Sequence, residues 1–96
     1  MTDPGLKVAD NAGARRYELT VDGNDVGFVD YHLRDGVMIL AYVEIDPAFG
    51  GRGYGGRLTA AVLDDCRTRG LKVVPECPFI ARYMREHPEY EDLRLR

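Results

Sequence analysis

Two short stretches of this chain hold the residues best suited to chemistry. The first is GGRGYGG, residues 50–56, with five glycines in seven positions. Glycines at the start of a helix let the backbone approach a ligand closely, and successive N–H groups there converge on an anion. Arg52 and Arg57 add positive charge suited to phosphate. The second is PECPF, residues 75–79, where Cys77 stands just ahead of a helical pattern. A thiol has a reference pKa of about 8.5, and a helix N-terminus favours its thiolate. Cys77 is therefore either a reactive thiol or a small buried hydrophobe. Cys66 falls on an apolar helix face and reads as core. His32 reads as a surface residue, and His87 in HPEY as a helix stop. No His, Cys and carboxylate cluster has metal spacing, so no metal is expected.

The glycine stretch admits several readings. Gly51, Gly53 and Gly56 spell G-x-G-x-x-G, and Glu76 follows twenty residues later, as a ribose-binding acid would. Yet such a loop should follow the first strand directly, and the 40 residues after Gly56 are too few for a dinucleotide-binding domain. A mononucleotide loop fails sooner, since no Lys-Ser or Lys-Thr follows the glycines. A plain turn that starts a helix is the bland reading. Glycine costs roughly 0.5–1 kcal/mol per residue in regular structure, which weighs against five of them in a simple connection.

The elements that must position these residues follow from periodicity. Tyr17, Leu19 and Val21 alternate with polar neighbours, then VDGND turns the chain. Val29, Tyr31 and Leu33 continue the alternation, and Asp35-Gly36 signals a hairpin. VMILAYVEI, Val37–Ile45, is apolar on both faces and is expected mid-sheet, covered on both sides. Beyond Pro47 the period changes: Leu58, Ala61, Val62 and Cys66 have helical spacing, with Asp64, Asp65, Arg67 and Arg69 on the wet face and Gly70 as C-cap. A strand over 71–74 and a helix over 79–86 complete the pattern. The expected class is α+β: three antiparallel strands, then loop, helix, strand and helix, with a parallel βαβ crossover.

Length and charge narrow the function. The 96 residues fit a single domain, 1–96, with its core at about 7–93. A net charge of −3 without a basic tract disfavours nucleic acid and anionic membranes. The longest apolar run is too short to span a bilayer, and the first residues lack a leader pattern. Two cysteines without a framework point to a reducing, cytoplasmic setting.

VEIDPAFGGRGYGGRL resembles the acetyl-CoA loop of the GNAT acetyltransferase superfamily. Pro47 matches the turn proline, Gly51, Gly53 and Gly55 the glycine positions, and Leu58 the following leucine; Gly50 stands where Gln or Arg is usual, and Tyr54 where an aliphatic is usual. The closing stretch resembles the minimal, single-domain YjdJ-type branch, through Pro75, Cys77, Pro78, Phe79, Tyr83, His87, Pro88, Glu89 and Tyr90. The resemblance implies a truncated GNAT fold and an N-acetyltransferase that moves acetyl from acetyl-CoA to an amine, such as a protein or peptide amine. It implies pantetheine along the backbone near Val43 and Ile45, and pyrophosphate on a loop of Gly51, Arg52, Gly53, Tyr54, Gly55 and Gly56. Cys77 would accept the acetyl group or line the thioester pocket, Glu44 would act as base and Tyr83 as acid toward the CoA thiolate. The nonfunctional counterparts are a solvated carboxylate for Glu44 and a packing ring for Tyr83. The second reading is an acyl-CoA-binding module with little transferase activity. A monomer or a homodimer fits either.

Overall fold

Two Asp-Gly dipeptides shape the first half of the chain. Asp22 and Gly23 have φ of 51° and 81°, and Asp35 and Gly36 have 52° and 77°. Left-handed backbone at both central positions makes the two-residue hairpin turn that suits twisted strands. In the computed structural model, which describes residues 5–96, these turns join β2 (Arg16–Val21), β3 (Asn24–Arg34) and β4 (Val37–Ile45) into an antiparallel meander. A further strand precedes them. β1 (Leu6–Asn11) pairs antiparallel with β2, giving four antiparallel strands where three were expected. Leu6 and Val8 alone pack toward the core and the rest of β1 is exposed, which suits an edge strand and gives a faint pattern.

α1 (Tyr54–Thr68) follows the glycine loop and ends as expected at Gly70, φ 70°. The Leu71 N–H donates to Cys66 O (2.9 Å) and the Gly70 N–H to Arg67 O (3.1 Å), the paired bonds of a glycine-terminated helix. β5 (Lys72–Pro75) then runs parallel to β4, α2 (Pro78–Glu86) begins on a proline, and a 3-10 segment, Pro88–Leu93, closes the fold. The sheet order is β1-β2-β3-β4-β5. The α+β class and the parallel crossover are both present.

One core holds the layers together. Leu58, Val62, Leu63 and Cys66 of α1 and Ile80 and Met84 of α2 are fully buried against Leu19, Val29, Met38, Leu40 and Val73 of the sheet. Arg69 bonds Asp10, Asp65 and the Tyr17 hydroxyl, tying β1 and β2 to the end of α1. The opposite face of the sheet carries Arg16, Glu18, Phe28, Asp30, Tyr42 and Glu44, none of them buried. The expectation that β4 is covered on both faces therefore does not hold: Tyr42 is 49% exposed.

The reason lies in a bulge. Tyr31 pairs with Leu40 but Asp30 pairs with Tyr42, so Ala41 is an extra residue. Before it, Met38 and Leu40 point to the core. After it, Val43 and Ile45 pack there, and Tyr42 and Glu44 face out.

Candidate functional site

β4 outruns its parallel neighbour. Pairing ends at Leu40–Pro75, where the Ala41 bulge changes which β4 residues face β5. The Glu76 and Cys77 N–H groups both turn back to Leu40 O, at 3.0 and 3.1 Å. Residues 41–45 thus leave one strand edge without a ladder partner. The direction of that edge follows from alternation. The Asp46 N–H donates to Val26 O of β3 (2.7 Å), so Glu44 and Tyr42 also face β3. The N–H and C=O groups of Val43 and Ile45 then point into the gap beside β5.

The glycine loop sits at the end of this edge. Asp46 caps the Pro47–Phe49 turn, its carboxylate accepting from the Ala48 N–H at 2.9 Å. Gly51 (φ 74°) and Gly53 (φ 77°) then adopt backbone that L side chains rarely take, and Gly53 is the N-cap of α1. Among the described residues, the N–H groups from Gly51 to Gly56 have no backbone acceptor. They meet the positive end of the helix dipole, a geometry that suits an anion. A Cβ on Gly51 or Gly53 would meet nothing within 4 Å.

Gly55 and Gly56 serve differently. A Cβ on Gly55 would lie 3.0 Å from the Phe79 ring, and one on Gly56 3.5 Å from the Tyr83 ring. These two glycines let α2 approach α1 while still contributing N–H groups. Tyr54 turns its ring into the core, edge-on to Phe49 at 6.4 Å, and offers the loop only its backbone. The guanidiniums of Arg52 and Arg57 lie over the Phe49 and Tyr54 rings, at 5.8 and 6.0 Å.

Cys77 is the N-cap of α2 and is buried, at the point where β4 and β5 part. Cys66 is fully buried, and burial pushes its thiol up to about 12, so it stays protonated. Glu44 accepts a hydrogen bond from the Tyr42 hydroxyl at 2.8 Å. That bond holds the Tyr42 proton and raises its pKa. Glu44 and Tyr42 are thus paired on the exposed face beside the open edge, and Cys77 is buried where that edge begins.

Tyr83 stands apart from that group. Its ring stacks on His87 at 3.8 Å and faces Tyr90 at 6.2 Å, and burial raises its pKa with Glu89 and Asp64 as the neighbouring charges. Among the described residues, no hydrogen bond or ring contact joins it to Cys77 or Glu44. His87 caps α2, its N–H donating to Met84 O at 3.3 Å. His32 is exposed. No group of three potential metal ligands occurs among the described residues.

Comparison with known proteins fits this geometry to a family. Residues 16–93 match the family model described as GCN5-related N-acetyl-transferase. The chain belongs to the GCN5-related N-acetyltransferase family. Solved GNAT structures share its fold. A GCN5-like putative N-acetyltransferase from Staphylococcus aureus superposes with a TM-score of 0.69 at 21% identity, covering 99% of this chain and 91% of that one. A GNAT family acetyltransferase from Brucella melitensis, in complex with acetyl-CoA, gives 0.57 at 23% identity, over 75% of this chain and 54% of that one. Ard1 from Thermoplasma volcanium gives 0.59 at 22%, over 76% and 54%. The GNAT chain described above thus matches about half the length of the latter two. Among curated proteins none matches the sequence.

Two residues beside the candidate site were given no role there by sequence reasoning. Tyr42 and Phe79 are large, half exposed, and border the open edge and the cradle. The signal for Tyr42 was the polar alternation Tyr42, Glu44 set against Val43, Ile45, hidden by the apolar run before it.

Proposed function

We propose that this chain transfers an acetyl group from acetyl-CoA to a primary amine, as a minimal GNAT enzyme of the YjdJ-type branch. One observation carries the reading: the edge of β4 freed beyond Leu40 runs straight into a cradle of six N–H groups. An extended pantetheine arm can add to Val43 and Ile45 as a strand would, with its amides bonded to backbone. The diphosphate then falls on Gly51–Gly56 and the acyl end at Leu40 and Cys77.

The chemistry follows from that placement. The amine nitrogen attacks the thioester carbonyl, the C–S bond breaks, and the thiolate leaves with the CoA. Glu44 is placed to accept the ammonium proton, directly or through water. Tyr42 or Cys77 faces the departing sulfur. Cys77 also supports a two-step route, in which its thiolate takes the acetyl group and passes it to the amine. Positioning and backbone donors supply most of the rate. The two free thiols fit a reducing compartment, which we take to be the cytoplasm.

Calorimetric titration with CoA tests the site, and CoA-thiol release on an amine panel tests the reaction. Saturable CoA binding is expected. A folded protein that ignores millimolar CoA would sink the assignment. Binding without thiol release on every amine would leave the acyl-CoA-binding module. Loss of turnover in both Cys77→Ala and Cys77→Ser would support the covalent route, and unchanged turnover in both would remove it.

A further inference from the structure

The uncovered face of the sheet holds a groove of about 340 Å³, beside the open edge of β4. Glu44 and Asp46 form one wall, Arg16, Glu18 and Asp25 the other, and Phe28 lies along the floor. Four of these side chains are carboxylates and one is a guanidinium. The guanidinium is already engaged: Arg16 lies 3.9 Å over the Phe28 ring and pairs with Asp30 at 3.1 Å. Among the described residues none of the four carboxylates has an ion-pair partner, so the groove presents net negative charge over an apolar floor. Phe28 also leans on Tyr42, with ring centres 6.1 Å apart, and Tyr42 bonds Glu44. Floor, wall and open edge are continuous.

We propose that this groove receives the remote part of the acceptor, and that the acceptor is an aliphatic amine carrying a second positive charge. The proposal rests on the acyl-transfer reading for the position of the reacting amine, near Tyr42. Glu44 reaches the Tyr42 hydroxyl itself, whereas a strand advances about 7 Å every two residues, so Asp46 lies roughly 13 Å along the strand from Tyr42. A second cation at that spacing meets the carboxylates while its methylene linker crosses Phe28. Short diamines fall short of Asp46, and monoamines have nothing to place there. A diamine and a basic peptide share this chemistry, and the test separates them.

The experiment titrates α,ω-diamines of two to eight carbons, matched monoamines, and lysine peptides with or without a neighbouring basic residue. Amide chemical shifts report binding, and CoA-thiol release reports turnover. Longer diamines are expected to shift Gly27, Phe28 and Glu44 and to outperform monoamines of equal length. Glu18→Gln with Asp25→Asn removes two charges distant from the open edge. Each is expected to raise the diamine KM roughly two- to five-fold, with CoA affinity unchanged and with less effect at high salt. A larger gain for the dibasic peptide than for any diamine assigns the groove to a peptide. Equal behaviour of diamines, dibasic peptides and monoamines, or shifts that avoid the groove, overturns the proposal. Shifts in the groove from a protein that binds no CoA would refute the acyl-transfer reading while leaving the groove as a cation site.

Discussion

Gly53 offers a clean separation of stability from ligand binding, because the fold contains its own control. Gly53 and Gly36 share φ of 77°, and a Cβ on either would meet nothing within 4 Å. Alanine at each position therefore meets the same backbone strain and no steric clash. Forcing an L residue into left-handed backbone costs about 1 kcal/mol. For a domain of this size that lowers Tm by roughly 4–8 °C. The two sites differ in place alone. Gly36 lies in the β3–β4 hairpin, and Gly53 caps α1 inside the run of six N–H groups. A methyl group there holds a phosphate away from those donors. A hydrogen bond to a charged group is worth about 1.5–3 kcal/mol, so losing one weakens CoA roughly 30-fold at about 2 kcal/mol. Thermal unfolding and CoA titration of both variants are the assay. The two should unfold at similar temperatures, with only Gly53→Ala losing affinity. Equal CoA affinity in the two variants would refute the cradle.

Three further outcomes follow from the packing and the ionisable groups. Gly27→Ala is expected to destabilise by about 1–3 kcal/mol in chemical denaturation, since its Cβ would lie 2.5 Å from Glu44 O and from Ile45 Cδ1, and the carbonyl cannot turn aside. Arg67 grips Asp92 through two hydrogen bonds and holds that carboxyl below its ordinary value of 3.8. A lowered carboxyl favours the folded state above the ordinary value and loses that contribution as pH falls through the lowered one, so Asp92→Asn should unfold with a flatter dependence on pH below about 4. At the alkaline end the sign reverses. Burial, aided by carboxylate partners, pushes Tyr31 and Tyr90 up to about 12, and burial does the same for Cys66. The folded state keeps protons that the unfolded chain releases from about pH 9, so stability is full below that and declines toward pH 12. Unfolding followed with tyrosine absorbance between pH 8 and 11 checks the slope, which Tyr31→Phe and Tyr90→Phe should reduce.

Legibility in the sequence tracked how local each determinant was. Asp22-Gly23, Asp35-Gly36 and Gly70 act through their own φ values, so both hairpins and the end of α1 were readable from short strings. Helical spacing likewise placed Leu58, Val62 and Cys66 in the core. β1 was missed because an edge strand needs little apolar pattern and is recruited by β2 and by Arg69, 59 residues away from Asp10. The glycine loop was located, but its glycines were read alike. Only the packing of α2 reveals that Gly51 and Gly53 serve backbone geometry while Gly55 and Gly56 make room for Phe79 and Tyr83. The Tyr42–Glu44 pair was obscured for a related reason. Val37–Ile45 reads as one apolar strand, and the change of face within it depends on the register with β3.

That change of face explains how the candidate site comes to have two sides. A regular β4 would keep the even residues facing the core to its end, placing Tyr42 and Glu44 there. An unpaired buried carboxylate is strongly disfavoured, and Val43 and Ile45 would go to solvent instead. Ala41 resolves both problems by shifting the alternation one step. It also reverses the hydrogen-bonding direction. Leu40 O faces β5 and receives the Glu76 and Cys77 N–H groups, whereas beyond the bulge Val43 and Ile45 take over that side. One residue thus ends the β4–β5 contact, frees a backbone edge for a strand-like ligand, and lifts a tyrosine and a glutamate onto the opposite face. Edge and side chains are then fixed to each other by covalent geometry. Their relative placement needs no additional helix or loop, which is why the site can exist on a single-layered sheet face.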